Sequence, residues 1–320
     1  MKRRGFLAAA LAILGTALAQ PRHHRVGFIT SASPDAFRPA LQALVAALAE
    51  HGYVDGKNLV LEQRWSENPA AAMDKHAAEL VAMPVDVIVT WGTPATAAAQ
   101  KATRSIPIVM ANTADPLGSR FVQTLARPGG NITGVSSLST DLSGKVLSLL
   151  KEILPKATRV GVLRNPANPV TTQHLQSARG AAKELGIALV EVEVRGGDLA
   201  AAFAALGAAR VDGAIALADP AFVSMRRQFA SLALQHRLPV AFQRSENVEA
   251  GGLISYSADL REQFRLAASY VHRILQGSAP GELPVVQPTK VELVANLKTA
   301  RSLGISIPHS VLLRADRVLE

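Results

Sequence analysis

No cysteine occurs among the 320 residues. That absence excludes thiol nucleophiles, cysteine-based zinc sites, iron–sulfur clusters and disulfides together. Aromatic residues are scarce, at 4%, which argues against a sugar ligand, since sugars stack on several rings. Beyond residue 19 no stretch approaches the roughly 18 continuous apolar residues of a membrane span. Runs of five or more basic residues are also lacking, and no nucleic-acid recognition module is visible. The formal charge of +9 falls to +6 once Lys2, Arg3 and Arg4 are set aside. The remainder is spread along the chain, so it solvates a surface and implies no nucleic-acid partner. There is no P-loop, no Gly-x-Ser-x-Gly elbow, no His-Glu-x-x-His string, and no Gly-x-Gly-x-x-Gly turn after the first strand. The expectation is a chain that is not an enzyme and carries no cofactor or metal. A twin-lobed enzyme assembled from scattered carboxylates is the alternative.

What is present begins with a leader. Met1-Lys-Arg-Arg precedes the apolar run Gly5–Ala19, which ends in the small-residue site Ala17-Leu18-Ala19. A positive start, a short hydrophobic middle and a small-residue end describe a secretory signal peptide over residues 1–19. About 15 apolar residues fall short of the roughly 20 that span a bilayer. Arg3-Arg4-Gly5-Phe6-Leu7 also resembles a twin-arginine export signal. The expected location is the periplasm, and no cysteine follows the leader to carry a lipid anchor.

The remaining chain is ordinary globular material, 48% hydrophobic and 18% charged, which excludes disordered and collagen-like classes. Its length predicts two domains. Short β-branched runs alternate with Ala-rich stretches of helical period. The predicted strands are Val26–Thr30, Asn58–Arg64, Val85–Thr90, Ile106–Ala111 and Gly134–Leu138, then Arg159–Leu163, Ala188–Val194, Gly213–Leu217, Pro239–Gln243 and Leu253–Ser257. Helices are predicted between them, including 94–103, 117–126, 198–209, 221–236 and 259–276. Such alternation predicts parallel sheets covered by helices on both faces. The series also repeats. Arg25-Val-Gly-Phe-Ile is echoed by Arg159-Val-Gly-Val-Leu, and Gly52 and Gly186 each follow their arginine by 27 residues. Val85-Asp86 recurs as Val211-Asp212, and Ile106-Pro107 as Leu238-Pro239. Four landmarks in one order predict two similar doubly wound α/β lobes with a hinge and an interlobe cleft.

Ligands of open α/β sheets bind beyond the carboxyl ends of the strands, where helix starts present N–H donors. The candidate ligand residues therefore follow strands. Thr30 and Ser31 end the first. Trp91, Gly92, Thr93 and Pro94 end the third, with Thr93 placed to cap a helix and Pro94 to start it. Asn112 and Asp115 end the fourth, Asp115 being either a ligand acceptor or the cap of a helix near Leu117. In the second half Asn165, Asp219 and Tyr256 hold comparable places, and Asp219 is the preferred partner of a ligand amine.

Four blocks are distinctive together: Gly52-Tyr-Val-Asp-Gly-Lys-Asn-Leu59, Thr90-Trp-Gly-Thr-Pro-Ala95, Ala126-Arg-Pro-Gly-Gly-Asn-Ile-Thr-Gly134, and Gln287-Pro-Thr-Lys-Val-Glu-Leu-Val-Ala-Asn-Leu-Lys-Thr-Ala300. With the ending Ile307–Asp316 they resemble the ABC-transporter substrate-binding proteins of the tryptophan/tyrosine type, over nearly the whole chain. The resemblance implies a periplasmic-binding-protein type I fold, two lobes joined by three crossings. It also implies a small ligand, an amino acid or carboxylate, and an ABC permease as membrane partner. The protein is expected to be a monomer. In relatives of this type an Asp-Asn-Thr turn contacts the amino-acid backbone. The matching stretch here is Asp219-Pro220-Ala221, so Asp219 carries over and the other two roles do not. The lobes are expected at 24–140 with 265–320, and at 141–264. A ligand-sensing module for a membrane sensor is a further alternative.

Overall fold

The computed structural model of the protein describes residues 23–66 and 70–320. The leader read at residues 1–19 lies outside them. Among the described residues no helix is long and apolar enough to cross a membrane.

The first half runs β1 (His24–Thr30), α1 (Pro34–Glu50), β2 (Leu59–Trp65), α2 (Ala70–Ala82), β3 (Val87–Trp91), α3 (Thr93–Ala102), β4 (Ile108–Ala114) and β5 (Ile132–Ser137). The second runs α4 (Ser139–Ile153), β6 (Arg159–Arg164), α5 (Thr171–Leu185), β7 (Ala188–Glu193), α6 (Leu199–Ala208), β8 (Gly213–Ala216), α7 (Pro220–Ser224), α8 (Arg226–Gln235), β9 (Val240–Phe242), α9 (Ser245–Glu249) and β10 (Ile254–Ala258). The chain closes with α10 (Leu260–Leu275), β11 (Val291–Asn296), α11 (Leu297–Leu303), α12 (His309–Leu312) and β12 (Arg317–Leu319).

Two sheets result, ordered β2-β1-β3-β4-β5 and β12-β11-β10-β9-β8-β6-β7. Read from β7, the second repeats the first's order before adding two strands. Central strands are buried on both faces, as β3 and β8 are throughout, which a helix-covered parallel sheet requires. The repeated landmarks have a shared physical role. Arg25 N–H donates to Asp86 Oδ2 at 2.8 Å and Arg159 N–H to Asp212 Oδ2 at 2.9 Å. Each aspartate thereby ties the entrance of its lobe's first strand to the strand that follows. Pro107 and Pro239 carbonyls accept from Ile88 and Ala214 N–H, both at 2.9 Å.

Three sequence expectations change. Residues 291–320, expected with the first lobe, join the second sheet. β11 pairs antiparallel with β10 and β12 lies beside β11, while Ala300, Ile307 and Val311 enter the second core. The first lobe keeps α10, expected there from residue 265 and starting at Leu260, whose Leu260, Phe264, Ala267, Ala268 and Val271 pack in its core. Spacings of three and four place these residues on one helix face. The chain thus crosses between sheets after β5, before α10, and between Val286, bridged to Val135, and β11.

The helix expected at 117–126 is instead a series of turns. Asp115 and Arg120 have φ of 42° and 57°, and Asp115 Oδ1 accepts from Gly118 N–H at 2.8 Å. A side chain that closes such a turn competes with helix formation. The helix expected at 221–236 breaks at Met225 into α7 and α8.

Candidate functional site

The carboxyl ends of the two sheets face each other, and the lobes touch there. Ser33 N–H donates to Ser224 Oγ at 2.7 Å, and Arg226 Nη2 reaches the Asp35 carbonyl at 3.4 Å. Val223 of α7 is buried in the first lobe's core. Between these contacts and the hinge lies a chamber of about 30 Å³. Trp91, Gly92, Thr93 and Asn112 line it from the first lobe, and Asn168, Asp219, Pro220 and Arg244 from the second. Ser139, at the first crossing, forms part of its wall.

The Thr90–Thr96 segment is held by buried hydroxyls. Thr96 Oγ1 lies 2.8 Å from both Thr90 Oγ1 and Thr113 Oγ1, and 3.2 Å from the Gly92 carbonyl. This anchoring leaves Gly92, with φ of 90°, as the N-cap of α3. Thr93 is not the cap; its hydroxyl points to the Ala114 carbonyl at 3.4 Å. A Cβ on Gly92 would sit 2.6 Å from Pro220 Cγ, across the cleft. Trp91 stacks on Phe37 with centroids 4.1 Å apart, in a cluster with Phe28, Trp65 and Phe264. Its Nε1 is buried without a hydrogen-bond partner among the described residues.

Asp219 is 5% exposed. Its Oδ2 accepts from the Asn165 and Asn168 amides at 3.2 and 2.9 Å, and Oδ1 from Ala221 N–H at 2.8 Å. The Phe222 N–H donates to the Asp219 backbone carbonyl at 3.1 Å. Burial pushes the Asp219 pKa above the ordinary carboxylate value, against the pull of the Asn168, Ala221 and Asn165 donors. A carboxylate offers about four acceptor positions, and three internal donors occupy this one. The expected amine partner is, in this geometry, the organiser of its own loop.

Of the other expected residues, Thr30 is buried and accepts from Ala32 N–H through Oγ1 at 3.1 Å. Ser31 precedes the cross-lobe contact at Ser33. Pro94 lies in the first turn of α3. Asp115 lines an adjoining open groove of about 370 Å³. Asn165 acts through Asp219, and Tyr256 packs against the second core, paired with Leu293. Sequence reasoning missed Asn168, Ser139 and Arg244. Asn168 and Arg244 both follow strands, which was an available signal; Ser139 depends on where the chain crosses between lobes.

Beneath the chamber Ser143 Oγ lies 2.8 Å from His174 Nδ1, the spacing of a nucleophile and its base. Both are sealed, at 0% and 1% exposure. Burial pushes His174 down to about 4 against the opposing Ser139 backbone, so the ring is neutral at pH 7. An unfolded histidine, near 6.5, takes up its proton first as pH falls. Stability is therefore expected to drop by about 3 kcal/mol between pH 6.5 and 4 and then level off. Urea unfolding across that range should show this slope in the native protein and lose it in His174→Gln; equal slopes would refute the assignment.

Residues 25–319 match the family described as ABC transporter substrate binding protein. The chain belongs to that family. A tyrosine-binding protein of Clostridioides difficile (strain R20291) is 27% identical over 268 residues, covering 83% of this chain and 76% of its own. A conserved domain protein of Vibrio cholerae has a crystal structure 32% identical to this chain, covering 93% of it and 100% of its own chain, with a TM-score of 0.87. The L-Trp complex of an ABC domain from Streptococcus pneumonia is 26% identical, covers 93% and 100%, and gives a TM-score of 0.85. The two-lobed α/β fold is that of the periplasmic-binding-protein type I neighbours, and substrate binding is the family's described role.

Proposed function

We propose that this substrate-binding protein is the periplasmic receptor of an ABC importer, a monomer that closes its lobes on one small carboxylate or amino acid and presents it to a permease. The observation that carries this reading is the chamber where Gly92 meets Pro220, enclosed by strand ends of both sheets. Walls contributed by two lobes join when the lobes close, and a ligand favours closure by its higher affinity for the shut state. The tyrosine-binding protein of C. difficile and the L-Trp complex of the Streptococcus domain support an amino-acid-like ligand. The leader read at residues 1–19 supports export. Trp91, Gly92, Thr93, Asn112 and the loop organised by Asp219 are the assigned contacts.

The test is identification of the ligand that co-purifies from the native host, by mass spectrometry after gentle denaturation, followed by small-angle scattering with and without it. One ligand per chain, a smaller radius of gyration and a raised melting temperature are expected. Ligand at one hundred times Kd adds about 2.7 kcal/mol of stability. An unchanged radius at saturation rules out the closing mechanism.

A further inference from the structure

The chamber has buried donors on both walls. Arg244 follows β9 and is 8% exposed. Its Nη2 reaches Glu246 Oε1 at 3.3 Å, while its Nε and Glu246 Oε2 are each buried with no hydrogen-bond partner among the described residues. Across the cleft Trp91, 2% exposed, has its Nε1 in the same condition. Both residues line the chamber. Gly92 and Thr93, at the start of the ten-residue helix α3, line it too. First-turn N–H groups have no intrahelical acceptor and favour negative charge. Asp219, the chamber's carboxylate, already accepts from three internal donors.

Unpaired buried donors cost free energy, and a guanidinium offers five N–H groups in a fork that matches a carboxylate. The complement of these walls is an anion. Size narrows it further. About 30 Å³ is a tenth of a drug-sized pocket at about 300 Å³. Phe37, stacked on Trp91, and Trp65 and Phe264 beside it fill the adjoining first-lobe core.

We propose that the ligand is a compact carboxylate gripped by its carboxylate group, with Arg244 and the Trp91 indole N–H as the anchors, and that aromatic amino acids are excluded. An ammonium on such a ligand is tolerated and does not anchor it. The assignment rests on the receptor reading above and deepens it.

Calorimetric titration of the full chain with acetate, pyruvate, L-lactate, L-alanine, L-alaninamide, L-tyrosine and L-tryptophan tests it, with small-angle scattering on any that bind. At least one of the four compact acids is expected to bind and compact the protein. L-lactate is expected within tenfold of L-alanine, L-alaninamide at least a hundredfold weaker than L-alanine, and the two aromatic amino acids silent. Arg244→Gln should weaken the bound acid at least thirtyfold, and Arg244→Lys should recover part of that by restoring charge without the fork. If the Gln variant does not fold, the Lys variant decides, with a loss of at least fivefold expected. Silence from all four acids, equal binding of L-alanine and its amide, or an affinity indifferent to Arg244 overturns the proposal. Binding of L-tyrosine or L-tryptophan with compaction overturns this assignment and leaves the receptor reading standing. Binding without compaction overturns the receptor reading, and this inference with it.

Discussion

Gly92→Ala is expected to weaken ligand capture by a hundredfold or more while both lobes stay folded. Within the first lobe the nearest atom to the new methyl beyond its chain neighbours is Pro94 Cδ, at an ordinary 3.7 Å. The left-handed φ of 90° adds strain of about 1–2 kcal/mol, which a lobe of this size survives. Across the cleft the methyl would lie 2.6 Å from Pro220 Cγ, a separation that real Cβ atoms do not adopt. Pro220 is a ring in the first turn of α7 and cannot swing aside as a flexible side chain would. The lobes must stop short, and the closed state loses the cross-cleft contacts around Ser33, Ser224 and Val223. A hundredfold loss corresponds to about 2.7 kcal/mol. Adding Pro220→Ala removes the clashing Cγ and should restore at least tenfold of the affinity. Calorimetry on the two single variants and the double, with the ligand identified as above, measures the coupling. Additive effects of the two substitutions would place Gly92 and Pro220 apart in the bound state and defeat the closure geometry.

Asp219→Asn is expected to cost about 2–4 kcal/mol of unfolding free energy, and Asp219→Ala as much or more, before any ligand is added. The reason lies in the direction of the neighbouring amides. Asn165 and Asn168 donate to Asp219 through Nδ2 because their Oδ1 atoms already accept from Ala167 and Val170 N–H, at 3.0 and 3.2 Å. Neither amide can turn over. An asparagine at 219 keeps the helix cap through its oxygen but sets its own NH2 against two donors. Urea titration of the ligand-free protein reads this cost directly. If Asp219 served only to bind a ligand amine, Asp219→Asn would leave ligand-free stability unchanged. The two roles are thus separated by a measurement that needs no ligand.

Legibility from the sequence followed the range of the interactions involved. All ten predicted strands are present, and those covered on both faces were the plainest, because a doubly covered strand must be a continuous apolar run. The repeat was legible for a similarly local reason. Asp86 and Asp212 are required wherever the first strand of a lobe begins, and that requirement is met by the same two-residue signature each time. The missed pieces depend on partners far along the chain. Val291–Asn296 is a strand because β10 offers it an edge, and residues 291–320 fall in the second lobe because that core has room for Ala300, Ile307 and Val311. The failed helix at 117–126 has helical composition, but Asp115 and Arg120 in left-handed conformations turn the chain instead.

In the site the division is similar. Trp91, Gly92, Thr93, Asn112 and Asp219 were identifiable because they follow strands and sit beside turn residues, and they do line the chamber. Arg244 follows a strand equally well, yet nothing local distinguishes a guanidinium that solvates a surface from one buried with an unpaired Nε. Asp219 illustrates the converse. Its place at the chamber wall could be read from chain order, whereas the three donors to its carboxylate come together only on folding. Residue order set the strands, the helix starts and the twofold repetition, since these depend on periodicity and on neighbours within a few positions. Which donors are left unpaired, how wide the chamber is and which lobe the chain's end joins were settled by packing, since each depends on distances between residues tens to hundreds of positions apart.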